Sequence, residues 1–391
     1  MHAAIWAYPW DLIDEGVETV TDRLYAMGVD EISLATNYHS VQAFLPHNPE
    51  RRTFFSRASS YFQPDANYGR LRPVSNETMG EDDWVDQIIA GVDKSPLSLN
   101  SWTVGCHNSR LGMRHPETTL TNAFGDSLVF GLCPSNPEVR EYLLALVGDL
   151  ARRGGFQRIE LETFDFFHGT GYGWHHEKFH TKLGSLGEFL FGLCFCNQCC
   201  DNAAAANIDA EHARSSTMST IDGIVAGTIP SETDVGTWLR SHPIVNDYVN
   251  RRTETLASLF DDLATVAGAV DLGCYIGMLD MDRTWMHGVD LHALAEHLDY
   301  YLVTAYEPTR DEAVACFSKA TELTPDIPVH AGIHAGYPFV TDEMTLKAMT
   351  AGLVDAGAQR ISFYNYGLLP ESNLNWIEES IRSVSPSERS E

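Results

Sequence analysis

Four short apolar segments recur at intervals of about thirty residues in the last third of the chain: DLGCYIGM at 271–278, DYYLVTAY at 299–306, IPVHAGI at 327–333 and RISFYNY at 360–366. Each is rich in β-branched and aromatic residues, as buried strands are, and a stretch with helical periodicity separates it from the next. Alternating strands and helices are typical of βα units around a parallel sheet. This third of the chain therefore predicts four consecutive βα units.

The same pattern extends toward the N-terminus and predicts four more strands, at 3–8, 31–37, 98–105 and 157–163. The predicted amphipathic helices are 11–27, 81–93, 136–153, 245–267, 290–297, 309–322, 342–355 and 373–383. Eight strands with eight helices is the count of a closed (β/α)8 TIM barrel. An open doubly wound sheet would carry a glycine-rich phosphate turn after its first strand, where this chain has Tyr8-Pro9-Trp10. We predict a single TIM-barrel domain over residues 1–391.

Two long stretches interrupt the regular spacing, at 38–80 after the second strand and at 166–244 after the fourth. Both leave from the C-terminal ends of strands, where barrel enzymes build their active sites. Within the second insertion, residues 203–235 are small and polar without clear periodicity. That part predicts a surface loop or short helices.

The charge balance excludes several kinds of partner. The chain has 54 acidic and 26 basic residues, a net charge of −28, and only five of the basic residues are lysines. Such a field repels nucleic-acid phosphates and anionic lipid. Acidic excess with scarce lysine also predicts adaptation to molar salt, where ions screen the repulsion.

The N-terminus has no basic segment typical of a signal peptide, and no apolar run reaches the ~20 residues that span a bilayer. We therefore expect a cytoplasmic protein, with homo-oligomerisation left open. In such a reducing compartment, four of the eight cysteines crowded into residues 194–200 indicate a metal site and not disulfides.

Carboxylates at strand ends are the candidate catalytic groups. Glu162 lies near the end of the fourth strand and shares a face with Glu160, and a carboxylate in an apolar strand is costly unless it is paired or functional. Glu307 ends the sixth strand, and Asp165 and Asp280 are reserves. Glycoside cleavage needs two carboxyl groups about 5–5.5 Å apart for retention or roughly 6.5–9.5 Å apart for inversion. Glu162 and Glu307 are the predicted pair, with their individual roles unassigned.

Aromatic and short polar side chains gather at the same strand ends. Aromatic rings stack on sugar rings, and amide or imidazole groups bond to hydroxyls, so these residues predict a carbohydrate substrate. The candidates on strands and their ends are Trp6, Tyr8, Trp10, Asn37, His39, Trp102, His107, Asn108, Tyr306, His334, Asn365 and Tyr366. The candidates in the glycine-punctuated loop after the fourth strand are His168, Trp174, His175 and His176.

The cysteines at 194, 196 and 199 have the spacing C-x-C-x-x-C, and a tetrahedral zinc needs a fourth ligand. Cys200, Cys133 and Cys106 are the candidates for that position. Cys133 lies in a Cys-Pro segment before the helix that leads to the fourth strand.

This arrangement resembles the zinc cysteines of the family 42 β-galactosidases, which are TIM-barrel glycoside hydrolases. The resemblance covers roughly residues 133–200 and the general barrel pattern. It implies a structural zinc on Cys133, Cys194, Cys196 and Cys199, and Glu162 as the acid/base. Two positions depart from the family: Leu161 stands where the family has Asn, and the seventh strand has no Glu nucleophile. Carboxylates on strands four and six are similar instead to the clans of the α-galactosidases.

Three functions are consistent with these features. The first is a glycoside hydrolase acting on a glycoside or oligosaccharide through the carboxylate pair. The second is a metal-dependent sugar isomerase, epimerase or lyase using the histidine-rich loop with Glu162 and His334. The third is a barrel that binds carbohydrate without catalysis.

Overall fold

The computed structural model describes residues 1–65, 67–166, 178–276 and 281–384, and it confirms the (β/α)8 barrel. Eight parallel strands pair in chain order, and the first pairs with both the second and the eighth, which closes the sheet. The strands are His2–Ala7, Glu31–Tyr38, Ser98–Val104, Phe156–Glu162, Asp271–Tyr275, Tyr300–Thr304, Val329–His334 and Arg360–Tyr364. All eight predicted strands are present, with ends that differ by a few residues.

Helices follow every strand and form the outer layer of the barrel. They are Pro9–Glu15 and Val17–Ala26, then Trp84–Val92, Pro137–Arg153, Pro243–Ala267, Leu291–Ala295, Arg310–Leu323, Glu343–Asp355 and Glu371–Val384. The predicted first helix is split because Gly16 adopts a φ of 88°, a left-handed conformation that glycine accepts without strain. Pro137–Arg153 shows why these segments are helical: Asn136 accepts hydrogen bonds from the amides of Glu138 and Val139, and two arginines complement the C-terminal end of the dipole.

The first insertion contains a β-hairpin of Val41–Phe44 with Thr53–Ser56, and Ser59–Ser60 pairs antiparallel with the end of the second strand. The second contains the helices Gly184–Gly192, Asn197–Ala205, Ala210–Val225 and Val235–Ser241. The expectation for 203–235 was wrong in one respect, because it includes a helix of 16 residues. Small side chains bury one face of that helix, so its hydrophobic periodicity is weak in the sequence.

A second hairpin, Thr119–Thr121 with Ser127–Leu132, follows the third strand and was not identified from the sequence. Its strands are short and one pairs through an irregular register, so they give little alternation to detect. In the part of the chain that the structure describes, no helix is long and apolar enough to cross a membrane.

Candidate active site

The fourth strand places two glutamates in the barrel interior, one above the other. Glu160 is fully buried and pairs with Arg360 at 2.9 Å between carboxylate oxygen and guanidinium nitrogen. The hydroxyl of Tyr275 donates to it at 2.8 Å and that of Tyr300 at 3.3 Å. Every oxygen of this carboxylate has a partner, so Glu160 belongs to the structural floor of the barrel.

The floor continues to the second strand through Arg360. Its Nε lies 2.7 Å from Glu31, which also binds Arg158 at 2.8 Å and accepts from Asn100 at 3.0 Å. Burial alone raises the pKa of Glu31, but Arg360 and Arg158 together hold it below its usual value. The charges at this level are therefore mutually compensated.

Glu162 lies one layer nearer the mouth, and no cation lies beside it in the part of the chain that the structure describes. The pKa of its carboxyl group is raised to about 7, mainly by burial. The indole of Trp102 donates a hydrogen bond to the carboxylate and lowers this pKa, whereas the nearby charge of Asp165 raises it further. A carboxyl group with such a pKa is partly protonated at neutral pH. It can therefore donate a proton under ordinary conditions.

A ring of tyrosines surrounds this carboxyl group. Burial raises the pKa of four tyrosine hydroxyls, and the charge of Glu162 adds to the rise in each of them. They are Tyr38, Tyr275, Tyr306 and Tyr364, from the second, fifth, sixth and eighth strands. The four come from strands on both sides of the fourth, so tyrosines from several parts of the barrel lie within electrostatic reach of Glu162.

The backbone just after Glu162 is strained. Thr163 has a φ of 57°, which a β-branched residue rarely adopts. Its Oγ1 is buried and finds no hydrogen-bond partner among the residues that the structure describes. Strain of this kind costs about 1–3 kcal/mol and concentrates at functional sites.

Aromatic rings form a continuous wall around the mouth. Trp6 lies 6.3 Å from Trp102 and 5.8 Å from Tyr364, measured between ring centroids. Tyr306 and Tyr364 lie 5.5 and 5.4 Å from the ring of His334. Trp6 and Trp102 are almost fully buried, whereas Tyr306, Tyr364 and His334 are partly exposed. The accessible part of the wall therefore consists of two phenol rings and an imidazole, groups that can bind sugars.

Two hydrogen bonds fix the lower part of the aromatic wall. The Tyr8 and Tyr364 hydroxyls are 3.0 Å apart, and the Trp6 indole donates to the Tyr275 hydroxyl. Tyr275 was not among the predicted site residues, although its position near the end of the fifth strand could have indicated it. Tyr38, at the end of the second strand, was not among the predicted site residues either, and it also lies in the mouth.

His39 and His107 form a stacked pair beside the mouth, with ring centroids 4.7 Å apart. Burial lowers the pKa of both, and the neighbouring ring adds to the effect on His107, whose pKa falls to about 3. Both imidazoles are therefore neutral at physiological pH. The Nδ1 of His39 donates to the carbonyl of Ser40 at 2.9 Å, which leaves its Nε2 as an acceptor.

Five of the predicted binding residues lie behind the wall. The side chain of Asn37 donates to the carbonyl of Val104, and Asn108 and Asn365 accept from backbone amides of the following turns. Trp10 is buried between two other rings, and the hydroxyl of Tyr366 donates to Glu15. These side chains support the mouth from outside.

The other predicted carboxylates are placed as follows. Asp165 lies close to Glu162 and 3.4 Å from the Nδ1 of His287. Glu307 is half-buried at the end of the sixth strand. Burial raises the pKa of the Cys316 thiol, and the charge of Glu307 raises it further. Asp280 lies outside the described residues, as do the loop candidates His168, Trp174, His175 and His176.

The four cysteines implied by the resemblance come together. All four sulfurs lie within 4.8 Å of one another, and the cluster could hold a metal ion. Cys133 is 3.6 Å from Cys199 and 3.7 Å from both Cys194 and Cys196, measured between Sγ atoms. A tetrahedron with metal–sulfur bonds of about 2.3 Å has edges of about 3.8 Å, so the thiols fit zinc-like coordination.

The surroundings of the cluster also suit a charged metal–thiolate group. The backbone amide of Thr121 donates to the Sγ of Cys194 at 3.3 Å. The guanidinium of Arg252 is buried beside the cluster, 4.6 Å from the ring of Phe166, and donates to the carbonyl of Met286 at 3.0 Å. A tetrathiolate with a divalent ion carries a net charge of −2, which this arginine partly balances. Sequence reasoning missed Arg252 because nothing near it in the chain marks it.

Comparison with family models and with curated protein sequences gave no match. Solved structures with the same barrel include the β-galactosidase of Bacillus circulans sp. alkalophilus, at 15% identity and a TM-score of 0.60, covering 98% of this chain and 55% of that one. The β-galactosidase of Marinomonas ef1 is 12% identical with a TM-score of 0.59, covering 98% and 59%. The PgaB (BpsB) glycoside hydrolase domain of Bordetella bronchiseptica is 11% identical with a TM-score of 0.60, covering 97% and 99%.

The chain thus spans little more than half the length of the two β-galactosidases and nearly all of the PgaB domain. At these identities the likeness shows the fold alone.

Proposed function

We propose that this protein is a glycoside hydrolase in which Glu162 is the proton donor. The observation that carries the proposal is the environment of Glu162: a carboxyl group with a pKa of about 7, beside aromatic side chains and without a neighbouring cation among the described residues. Protonation of the leaving oxygen by such a group is the step that both retaining and inverting glycosidases share. The barrel neighbours that cleave glycosides are consistent with it.

For the second carboxylate we propose Glu307, which follows Tyr306 at the rim of the sixth strand. The seventh strand, Val329–His334, carries no carboxylate, so the nucleophile position of the family 42 β-galactosidases is not reproduced. Asp165 has a different part in the proposal, because its charge beside Glu162 favours the protonated form of that acid. Asp280 stays a reserve.

We propose a carbohydrate as the substrate, stacked against the partly exposed rings of Tyr306 and Tyr364. Trp6 and Trp102 are almost fully buried and pack against Tyr364. The neutral imidazoles of His39 and His334 would accept hydrogen bonds from sugar hydroxyls. The strongly acidic composition suggests that the enzyme works in molar salt, so activity is best assayed in potassium chloride.

We also propose that the cysteine cluster holds a structural zinc. Cys133 precedes the helix Pro137–Arg153, whereas the other three lie in the second insertion. A shared metal would therefore fasten the insertion to the barrel wall. Zinc in this position would have no part in glycoside cleavage.

The function is tested with aryl glycosides of two leaving-group strengths. Glu162→Gln should lower kcat/KM for a phenyl glycoside roughly 100- to 10,000-fold, because general acid catalysis is lost. It should lower the rate for a dinitrophenyl glycoside far less, because that leaving group departs without a proton. Glu307→Gln should slow both substrates.

The matched control is Glu322→Gln, an exposed glutamate at the C-terminal end of the helix Arg310–Leu323, on the side of the barrel opposite to the strand ends, which should leave both rates unchanged. Equal losses for the two leaving groups in Glu162→Gln would contradict the role of proton donor. Full activity in both Glu162→Gln and Glu307→Gln would end the glycosidase proposal.

The zinc is tested by elemental analysis of the purified protein, with one zinc per chain expected. Cys196→Ser should lose the metal and lower the melting temperature, whereas Cys200→Ser should do neither, because Cys200 lies outside the cluster. Retained zinc in Cys196→Ser would contradict the assignment.

A further inference from the structure

One buried arginine lies between the cysteine cluster and the barrel mouth. Arg252, on the helix Pro243–Ala267, is only 4% exposed and lies beside the cluster. Its guanidinium is also 4.6 Å from the ring of Phe166 and donates to the carbonyl of Met286 at 3.0 Å. Balancing the charge of a metal–thiolate group requires only the position beside the cluster. The contacts with Phe166 and Met286 therefore need a separate explanation.

The two residues that Arg252 contacts are chain neighbours of a close side-chain pair. Phe166 follows Asp165, and its backbone amide donates to the carbonyl of His287 at 3.0 Å. His287 follows Met286, and its Nδ1 lies 3.4 Å from the carboxylate of Asp165. The end of the fourth strand is thus joined to the turn that contains Met286 both through the backbone and through side chains.

The packing around the guanidinium of Arg252 is close. Phe166 is fully buried, and a Cβ added to Gly288 would lie 2.8 Å from the Cβ of Arg252 and 3.1 Å from a ring carbon of Phe166. Gly288 ends the turn Thr284–His287 with a φ of 78°, so glycine at this position lets the turn approach both residues. Because closely packed groups do not shift independently, displacement of Arg252 should also displace Phe166 and the turn.

We propose that Arg252 is a positioning residue of the active site, which holds Asp165 beside Glu162 through Phe166 and the turn Thr284–His287. The proposal rests on the glycosidase function, because Glu162 is the proton donor of that reaction. The charge of Asp165 favours the protonated form of Glu162, which is the form that donates a proton. Both carboxyl groups are partly buried, so salt screens their interaction less than it would on the surface.

Among the residues that the structure describes, few groups near these two carboxylates titrate around neutral pH. Glu162 is within reach of Asp165 and of the four tyrosines of the mouth, and burial raises the pKa of each tyrosine. Asp165 faces the imidazole of His287. It also faces the thiols of Cys106 and Cys274, and burial raises the pKa of both. The tyrosines and thiols therefore stay neutral below about pH 9.

The test follows tryptophan fluorescence, because the indole of Trp102 donates to Glu162. Each protein is titrated from about pH 4 to 9 beside the same protein carrying Glu162→Gln, and the difference isolates the titration of Glu162. The midpoint should be near pH 7 in the unaltered protein. Arg252→Gln should lower it by about 0.5–1 pH unit, because Asp165 is no longer held in place, and the alkaline limb of the pH–rate profile should move equally.

Combined variants test whether the effect passes through Asp165. Asp165→Asn should lower the midpoint, and Arg252→Gln added to Asp165→Asn should lower it no further. A further shift in the double variant would overturn the proposal. Phe166→Leu removes the ring beside the guanidinium and should lower the midpoint in the same way, which keeps the test decisive if Arg252→Gln does not fold.

The matched control is Arg251→Gln, the neighbouring arginine on the same helix, whose guanidinium pairs with Glu254. It should leave the midpoint and the rates unchanged. Zinc is measured in every variant, because an arginine that only balances the metal would alter the zinc content and leave the midpoint in place, which would overturn the proposal. If Arg252→Gln loses zinc, its shift should exceed that of Cys196→Ser, and an equal shift would assign the effect to the metal instead.

The fluorescence measurement needs no turnover, so the two proposals can fail separately. If the unaltered protein cleaves no glycoside while Arg252→Gln lowers the midpoint only when Asp165 is present, the glycosidase function fails and the positioning role stands. If glycosides are cleaved and the midpoint stays in place in both Arg252→Gln and Phe166→Leu, the positioning role fails alone.

Discussion

Glu160 and Glu162 are two residues apart on one strand and face the same interior, yet their hydrogen-bonding and ionic partners differ. Glu160 receives a guanidinium and two tyrosine hydroxyls, whereas Glu162 receives one indole N–H and a neighbouring acid. The first belongs to a charge network with Arg360. The second is left with a pKa of about 7.

The difference shows that cationic partners are concentrated at the floor of the barrel. At the floor, every charge introduced by one strand is met by another strand, which keeps the interior stable. At the mouth, the described side chains around Glu162 are mainly aromatic, Asp165 adds a second acid, and the backbone beyond Glu162 is strained at Thr163. A group that costs stability in this way has a function as its simplest explanation.

The largest expected effect comes from removing the cation of the floor. Arg360→Met leaves Glu31 and Glu160 buried without their shared partner, so we expect the free energy of unfolding to fall by about 3–5 kcal/mol. Urea denaturation measures the change. Adding Glu160→Gln to this variant should recover part of the loss, because one unpaired charge disappears, and no recovery would contradict the network.

The next effect tests the difference between Glu160 and Glu162 by varying the pH. The pKa of Glu162 in the folded protein is about 7 against a usual 4.5, so between these values the folded state holds a proton that the unfolded chain has lost. Stability therefore falls as pH rises through this window, by about 3 kcal/mol in total.

Glu162→Gln carries no charge at any pH and should be more stable than the unaltered protein at pH 8, as measured by urea denaturation across the pH range. Glu160→Gln should instead be destabilised throughout, because Arg360 loses a partner. Parallel pH profiles for Glu162→Gln and the unaltered protein would show that Glu162 is not the group that titrates.

The smallest effect concerns the indole N–H of Trp102, which donates a hydrogen bond to Glu162. Trp102→Phe removes the indole hydrogen bond, which favours the ionised form, so the pKa of Glu162 should rise by roughly one unit. The alkaline limb of the pH–rate profile should move upward accordingly. Trp6→Phe is the control, because its indole donates to Tyr275. If the alkaline limb does not move in Trp102→Phe, the group that controls it is not Glu162.

Much of the fold could be predicted because it depends on local patterns. Apolar strands such as Tyr300–Thr304 and helix signals such as Asn136-Pro137 act within a few residues and remain visible in one sequence. The hairpin at 119–132 and the helix Ala210–Val225 escaped, because short strands and small buried residues produce weak periodicity.

The alternation that makes a barrel, the strand ends that carry Glu162 and the aromatic residues, and the C-x-C-x-x-C spacing can all be identified in the unfolded chain. The folded arrangement was needed to show that Glu160 pairs with Arg360 whereas Glu162 lies near tyrosines, that Asn37 and Tyr366 lie behind the wall, and that Cys133 completes the cluster. The reason is physical: strand and helix periodicity follow from local backbone geometry, but partners come from strands far apart in the chain. Closure of the sheet decides which side chains lie opposite each glutamate, and therefore which of the two carboxylates is paired with a cation.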